Sequence, residues 1–150
     1  MVSKAESGVG LYRAGSNCAQ AVLTTFCWRY GLNRELGCKL ACGLGGGLSS
    51  GEVCGAVTAG ALVIGLKYGN SLPDDKLSRQ RCRELTRQFV EAFRARHGSI
   101  LCRELAPRVP ARDSAPANTQ TDGQTNSQVS RAACPGLVAD AISLLEAAGC

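Results

Sequence analysis

Aromatic side chains are scarce in this chain: three Phe, three Tyr and one Trp among 150 residues. So sparse a set offers no platform on which nucleic-acid bases could stack. Histidine occurs once, at His97, and no Ser/His/Asp set or supported Cys/His pair can be built around it. At the end of a long helix, its expected role is to complement the macrodipole. No pair of carboxylates suited to acid–base work is identifiable, so a hydrolase is not indicated. The longest apolar run, Ala56 to Leu66, is 11 residues, too short to span a bilayer. Residues 1–8 hold no apolar stretch of the kind a secretory signal needs. The expectation is a cytoplasmic protein in a reducing compartment, where clustered cysteines are more often metal-binding or redox-active than cross-linked.

Against these absences stand 9 cysteines and 18 glycines. An odd cysteine count rules out full internal pairing, and a chain this long buries enough surface to fold as one domain without disulfides. The net charge is +5, but the arginines between Arg79 and Arg108 alternate with Glu84, Glu91 and Glu104. They read as a solvated helix face rather than a nucleic-acid footprint.

The hydrophobic pattern is helical almost throughout and no strand of useful length is expected, so the predicted fold is all-α. It is a single domain over residues 1–150, a compact bundle of about five helices. From Asn17 to Tyr30, Ala19, Val22, Leu23, Phe26 and Tyr30 recur at helical spacing. Asn17 and Gln20 form a capping box, and Gly31 supplies the stop. A shorter helix follows from about Arg34 to Cys42. Ser49 and Glu52 read as a second capping box opening a helix to about Tyr68, whose apolar surface on nearly every side predicts the central buried helix. Pro73 and Asp74 open a long amphipathic helix with a core stripe of Leu77, Cys82, Leu85, Phe89 and Phe93, ending at Gly98. Residues 107–130 are dominated by Pro, Ser, Thr, Asn, Gln and Asp, and predict a disordered loop before the last helix. Cys134-Pro135 opens that helix, with Leu137, Val138, Ala141, Ile142 and Leu145 on one face.

Four cysteines fall where helices begin: Cys18, Cys54, Cys102 and Cys134. A helix start presents unpaired N–H groups and the positive end of the macrodipole. That setting favours a thiolate, the form that bonds metal or attacks disulfides. Their long separations fit neither a zinc ribbon nor the close-set cysteine run of a bacterial ferredoxin. The other five are assigned elsewhere. Cys27 and Cys82 read as small buried hydrophobes. Cys38 and Cys42, one helical turn apart, share a face and suit close packing or a pair of ligands. Cys150, the last residue, is expected to be a mobile, exposed thiol. The glycine stretch 43–48 fails both the dinucleotide and the Walker A patterns. Two readings remain for it: a plain connection, or a backbone at Gly45, Gly46 and Gly47, with Gly55, that approaches a cluster closely and points N–H groups at its sulfurs.

These segments resemble a known family, the C-GCAxxG-C-C family of four-cysteine redox-active proteins. The likeness is carried by Gly15-Ser16-Asn17-Cys18-Ala19-Gln20-Ala21-Val22, by Gly45-Gly46-Gly47-Leu48 leading into Cys54-Gly55-Ala56, by Gly65-Leu66-Lys67-Tyr68-Gly69, by Gly98-Ser99-Ile100-Leu101-Cys102-Arg103-Glu104-Leu105, and by Cys134. It runs in order over about residues 8 to 149, excluding the polar insert. The family's four cysteines match Cys18, Cys54, Cys102 and Cys134. Its CGAxxG motif would place Gly at position 59, where this chain has Ala59 followed by Gly60. A related domain occurs joined to multihaem cytochrome, where an iron–sulfur centre is suspected. The resemblance therefore implies redox activity and favours electron transfer with a redox partner protein.

Four functions compete, and the expected one is the first: an iron–sulfur protein for electron transfer. An iron–sulfur protein would hold a [2Fe–2S] or [4Fe–4S] cluster through the four thiolates, within one chain or shared across the two-fold axis of a homodimer. A cluster-free thiol–disulfide protein would use two of the four as attacking and resolving groups, although the usual CxxC is absent. A structural zinc site of four cysteines would hold the bundle closed. A plain helical module would use the cysteines only for packing.

Overall fold

A computed structural model describes residues 1–106, 108–109, 128–129 and 132–150. Among them the secondary structure is helical except for one short ribbon. The helices are α1 (Lys4–Arg13), α2 (Cys18–Phe26), α3 (Arg34–Ala41), α4 (Gly55–Tyr68), α5 (Lys76–His97), α6 (Cys102–Leu105) and α7 (Cys134–Ala147). This makes seven helices rather than about five: α1 and the single turn of α6 are additional. The ribbon pairs Arg108–Val109 (β1) antiparallel with Gln128–Val129 (β2). The disordered loop expected over 107–130 otherwise lies outside the described residues.

Helix ends follow local hydrogen-bond chemistry. Ser3 and Glu6 close a capping box on α1, with Glu6 N–H donating to Ser3 Oγ at 3.1 Å and Ser3 N–H to Glu6 Oε2 at 2.7 Å. Asn17 and Gln20 do the same for α2, as their spacing predicts. Asn33 caps α3 and Asp75 caps α5 through N–H groups three residues on, each satisfying an otherwise orphaned donor. Gly98, at φ +79°, ends α5 in the left-handed conformation that glycine takes freely.

The expected capping box at Ser49 and Glu52 does not form. Instead α4 begins at Gly55 with Cys54 in the cap position. Ser49 lies in a left-handed turn and Glu52 pairs with Arg103 at 3.0 Å. The S-x-x-E signature is outweighed because residues 46–53 are drawn into a loop that packs on α6, with Cys102 N–H donating to Glu52 O and Cys54 N–H to Ile100 O, both at 2.7 Å.

The helix directions can be read from contacts at their ends. Tyr68 Oη donates to Ala148 O at 3.0 Å, and Lys67 Nζ bonds Gly149 O, so α4 and α7 finish together. Arg29, in the turn that continues α2, reaches Cys150 O at the same end. Helices α2, α4 and α7 therefore run parallel and begin together at the opposite end. α1 runs against them, Lys4 meeting Glu146 at 3.3 Å. So does α5, whose Arg81 lies over the Tyr68 ring while its Phe89 meets Gly60 halfway along α4.

The central helix is α2 rather than α4. Eight of the nine residues of α2 are buried, whereas Leu62 and Leu66 leave one side of α4 exposed. Apolar composition on every side did not decide the matter: α4 is packed by α2, α5 and α7, and α2 by α1, α3, α4 and α7. The core is filled by Val22, Leu23 and Phe26 of α2, Val63 and Ile64 of α4, Phe89 and Phe93 of α5, and Val138, Ile142 and Leu145 of α7. Burial of each such side chain contributes about 1.5–3 kcal/mol. Leu77, expected in the α5 stripe, instead faces solvent, because the helix projects beyond its α4 neighbour there.

Two glycines of α4 meet opposite surroundings. A Cβ at Gly60 would lie 2.4 Å from the Phe89 ring, whereas one at Gly65 would meet nothing within 4 Å. Gly60→Val should therefore destabilise the fold by about 2 kcal/mol through overpacking. Gly65→Ala should stabilise it by about 0.5–1 kcal/mol through helix propensity. Urea midpoints of the two variants, moving in opposite directions, check this.

Candidate functional site

The shared start of α2, α4 and α7 places Cys18, Cys54 and Cys134 at one end of the bundle, each at the first residue or cap of its helix. Three parallel macrodipoles turn their positive ends there. α5 ends on the same side, and the chain leaving it bridges Leu101 to Val53 in an antiparallel contact. That contact fixes Cys102, the first residue of α6, beside the segment carrying Cys54. The four sequence-chosen cysteines therefore do open helices, and their helices open at one end.

Two of them touch. Cys18 and Cys54 are buried, with 8% and 3% exposure, and their sulfurs are hydrogen-bonded. One proton serves the pair. The Cys54 thiol donates to Cys18 and lowers its pKa to about 6, against the cost of burial; backbone N–H groups of Gly46 and Ala19 add to the stabilisation. The same hydrogen bond, together with burial and the neighbouring negative charge, holds the Cys54 thiol far above its ordinary value. Backbone N–H groups of Ala56 and Val57 approach Cys54 in the same way, and the glycine loop adds its Gly46 N–H on the Cys18 side. Two thiols this close titrate as a unit, and the first proton lost leaves the second harder to remove.

The approach of the two sulfurs depends on missing side chains. A Cβ on Gly55 would lie 2.6 Å from Cys18 Sγ. The glycine loop closes over the pair from the other side. Gly45 sits against the Asn17 side chain, whose Nδ2 donates to Cys42 O at 2.9 Å. Gly46 offers its backbone N–H to Cys18, and Gly47 packs on Cys102, whose Cβ would be 2.7 Å from one on Gly47. Residues 46–49 all have positive φ, including Leu48 at 56° and Ser49 at 55°. Each non-glycine residue held there costs about 1–2 kcal/mol. Such strain persists where the surrounding structure fixes the backbone, commonly at functional sites. The four glycines singled out from sequence, Gly45, Gly46, Gly47 and Gly55, thus all line this end of the bundle.

A four-thiolate centre asks more of the geometry than a thiol pair. Among the described residues no three Cys, His, Asp or Glu side chains converge as a set able to hold one metal ion. Cys18 and Cys54 are in contact, Cys102 stands across the glycine loop from them, and Cys134 is half-buried at the start of α7. As arranged, the four do not form a closed metal cage.

The remaining cysteines divide by burial. Cys27 is fully buried beside Gly37, and burial raises its thiol pKa. Cys82 is partly buried against the core. Both match the packing role expected of them. Cys38 is half-buried and Cys42 exposed. Cys150 overturns its expectation: it is buried at 5% exposure. Its N–H donates to Leu145 O, its carbonyl accepts from Arg29, and its thiol bonds Tyr30. Sequence position at a terminus says nothing about this anchoring, which α4 and the turn after α2 supply. His97 ends α5 as expected, and its Nε2 lies 3.1 Å from Asp140 Oδ2 of α7.

Because the Cys18 pKa is depressed, its thiolate is present above pH about 6 and lost below it. Alkylation of Cys18 should show that midpoint. In Cys54→Ala the donated hydrogen bond is gone, and the midpoint should rise towards the ordinary thiol value near 9. Gly55→Ala, which pushes the sulfurs apart, should act in the same direction. Peptide-resolved alkylation rates across pH measure all three.

Comparison with curated proteins gave no match, and neither did comparison with solved structures. Comparison with protein families gave one, over residues 16–148, to the family described as "Putative redox-active protein (C_GCAxxG_C_C)". The match spans the glycine loop, α4 and all four helix-opening cysteines, and the chain belongs to this redox-active family.

Proposed function

We propose that the protein is a thiol–disulfide redox carrier whose reacting pair is Cys18 and Cys54. The observation that supports this most is geometric: both cysteines are buried at the shared start of α2 and α4, where the missing side chain of Gly55 makes room for the Cys18 sulfur, and the thiol–thiol interaction lowers the Cys18 pKa. In a reduced molecule, the Cys18 thiolate attacks a disulfide of a partner, forming a mixed disulfide and releasing one partner thiolate. Cys54 then attacks the Cys18 sulfur; its proton passes to the departing thiolate and the mixed disulfide breaks. The protein ends with a Cys18–Cys54 disulfide, and the partner ends with one thiol, protonated by Cys54, and one thiolate, which takes its proton from water. Two electrons have moved from protein to partner. No CxxC is needed, because the parallel starts of α2 and α4 bring together cysteines 36 residues apart.

A second reading is favoured by a separate observation: all four helix-opening cysteines face one end of the bundle, with glycine backbone among them. In that reading Cys18, Cys54, Cys102 and Cys134 hold an iron–sulfur cluster, which would supply one-electron chemistry. It requires Cys102 and Cys134 to draw closer to the pair than they stand here. Zinc in the same four-thiolate setting would be structural only.

One preparation separates these readings. Purified without oxygen and treated with a mild disulfide oxidant, the metal-free chain should lose two thiols and yield a Cys18–Cys54 cross-linked peptide. Cys102→Ser should behave likewise. If the anaerobic protein instead carries stoichiometric iron and sulfide with visible absorption, abolished by Cys54→Ser and by Cys102→Ser alike, the cluster reading replaces the dithiol one.

A further inference from the structure

The charge of the chain is concentrated on α5. This helix carries seven Lys and Arg against two Glu, an excess equal to the net charge of the entire chain, +5. Lys76, Arg79, Arg83 and Arg87 recur at three- and four-residue spacing and so share one stripe. With Gln80 and Glu84 they line an open groove of about 580 Å³. Glu84 neutralises Arg87 at 2.7 Å. Among the described residues no carboxylate comes within ion-pair distance of Lys76, Arg79 or Arg83, so three cations remain uncompensated. The Arg79 guanidinium is held outward by a hydrogen bond to Pro73 O at 2.8 Å.

Beside this stripe stand two large apolar side chains that the fold leaves in water. Leu77 is 81% exposed and Leu72 62%. Leu72 lies in the connection before α5, and Leu77 in its first turn. Both are at the end of the bundle opposite the cysteines, where Arg81 meets Tyr68 at the finish of α4. A cationic stripe flanked by protruding leucines is the composition of an element that lies on a lipid surface: the cations meet anionic headgroups and the leucines enter the acyl boundary. A nucleic-acid face would gain nothing from exposed leucines and would use aromatic residues that this patch lacks.

We propose that the Leu72–Arg83 face is a peripheral docking surface for anionic phospholipid bilayers. Docking by this face leaves the Cys18–Cys54 end turned to the aqueous side. No helix among the described residues is long and apolar enough to cross a membrane, so attachment is to the surface and reversible.

The full chain should sediment with vesicles of phosphatidylcholine containing one-third phosphatidylglycerol and remain in solution with phosphatidylcholine alone. Added salt should release it, since exposed charges are screened. Lys76→Glu with Arg83→Glu should lower partitioning about tenfold or more. Leu72→Ser with Leu77→Ser should lower it about tenfold. Both double variants should keep the wild-type circular dichroism and the same Cys18 alkylation midpoint, so a loss cannot come from unfolding or from the thiol site. Three results overturn the proposal: no partitioning onto anionic vesicles, equal partitioning of wild type and variants, or equal binding to neutral vesicles. A duplex DNA fragment that binds the chain through the same cations while vesicles do not would assign the face to nucleic acid instead. The vesicle result is independent of whether the cysteines hold a disulfide or a cluster.

Discussion

The structure is organised around the close approach of two parallel helices at their first residues. Cys18 opens α2, Cys54 caps α4, and Gly55 has no side chain to keep the sulfurs apart. For that contact to form, α2 and α4 must start at the same level and run the same way. Such a pair cannot be joined by a short turn. The chain therefore returns along its length by way of α3 and then bends through the glycine loop. The left-handed run at 46–49 is the local expense of re-entering beside Cys18. The same level then suits α7, whose finish is tied to that of α4 through Tyr68 and Lys67.

Much of this was legible in the residues. Periodicity located α2, α3, α4, α5 and α7, and Asn17 with Gln20 and Gly98 marked ends that the structure reproduces. The thiols were found by position: a cysteine next to a cap residue or a helix-opening proline can be recognised without knowing its neighbours. What sequence could not supply was which of the four would meet. Contact between Cys18 and Cys54 depends on helix direction and level, and no local pattern encodes either. α1 did carry a signal, the Ser3-x-x-Glu6 capping box, but its polar and glycine-rich composition gave a weak apolar stripe.

Where the structure departs from local sequence signals, tertiary contacts are the cause. An S-x-x-E signature at Ser49 lost to tertiary hydrogen bonds between residues 52–54 and 100–102. Uniform apolarity suggested that α4 was central, yet burial depends on how many neighbours a helix has rather than on its composition. The family motif offers an instructive case. Its expected glycine at 59 is Ala59 here, fully buried with room for its methyl, while Gly60 is the residue that admits the Phe89 ring. The close helix approach is thus kept one position further along α4, on the side facing α5.

A single proton shared by two buried sulfurs also sets how the pair responds to acidity. Above pH about 6 the reduced site holds one thiolate and one thiol. In the proposed thiol–disulfide reading, making the disulfide would then release one proton for two electrons, and the midpoint potential would fall by about 30 mV for each unit of pH. Below pH about 6 both sulfurs are protonated, two protons leave, and the slope doubles to about 60 mV. If the pair is the redox centre proposed above, the hydrogen bond that joins Cys18 to Cys54 would make its redox poise less sensitive to pH in the neutral range than that of an ordinary pair of thiols.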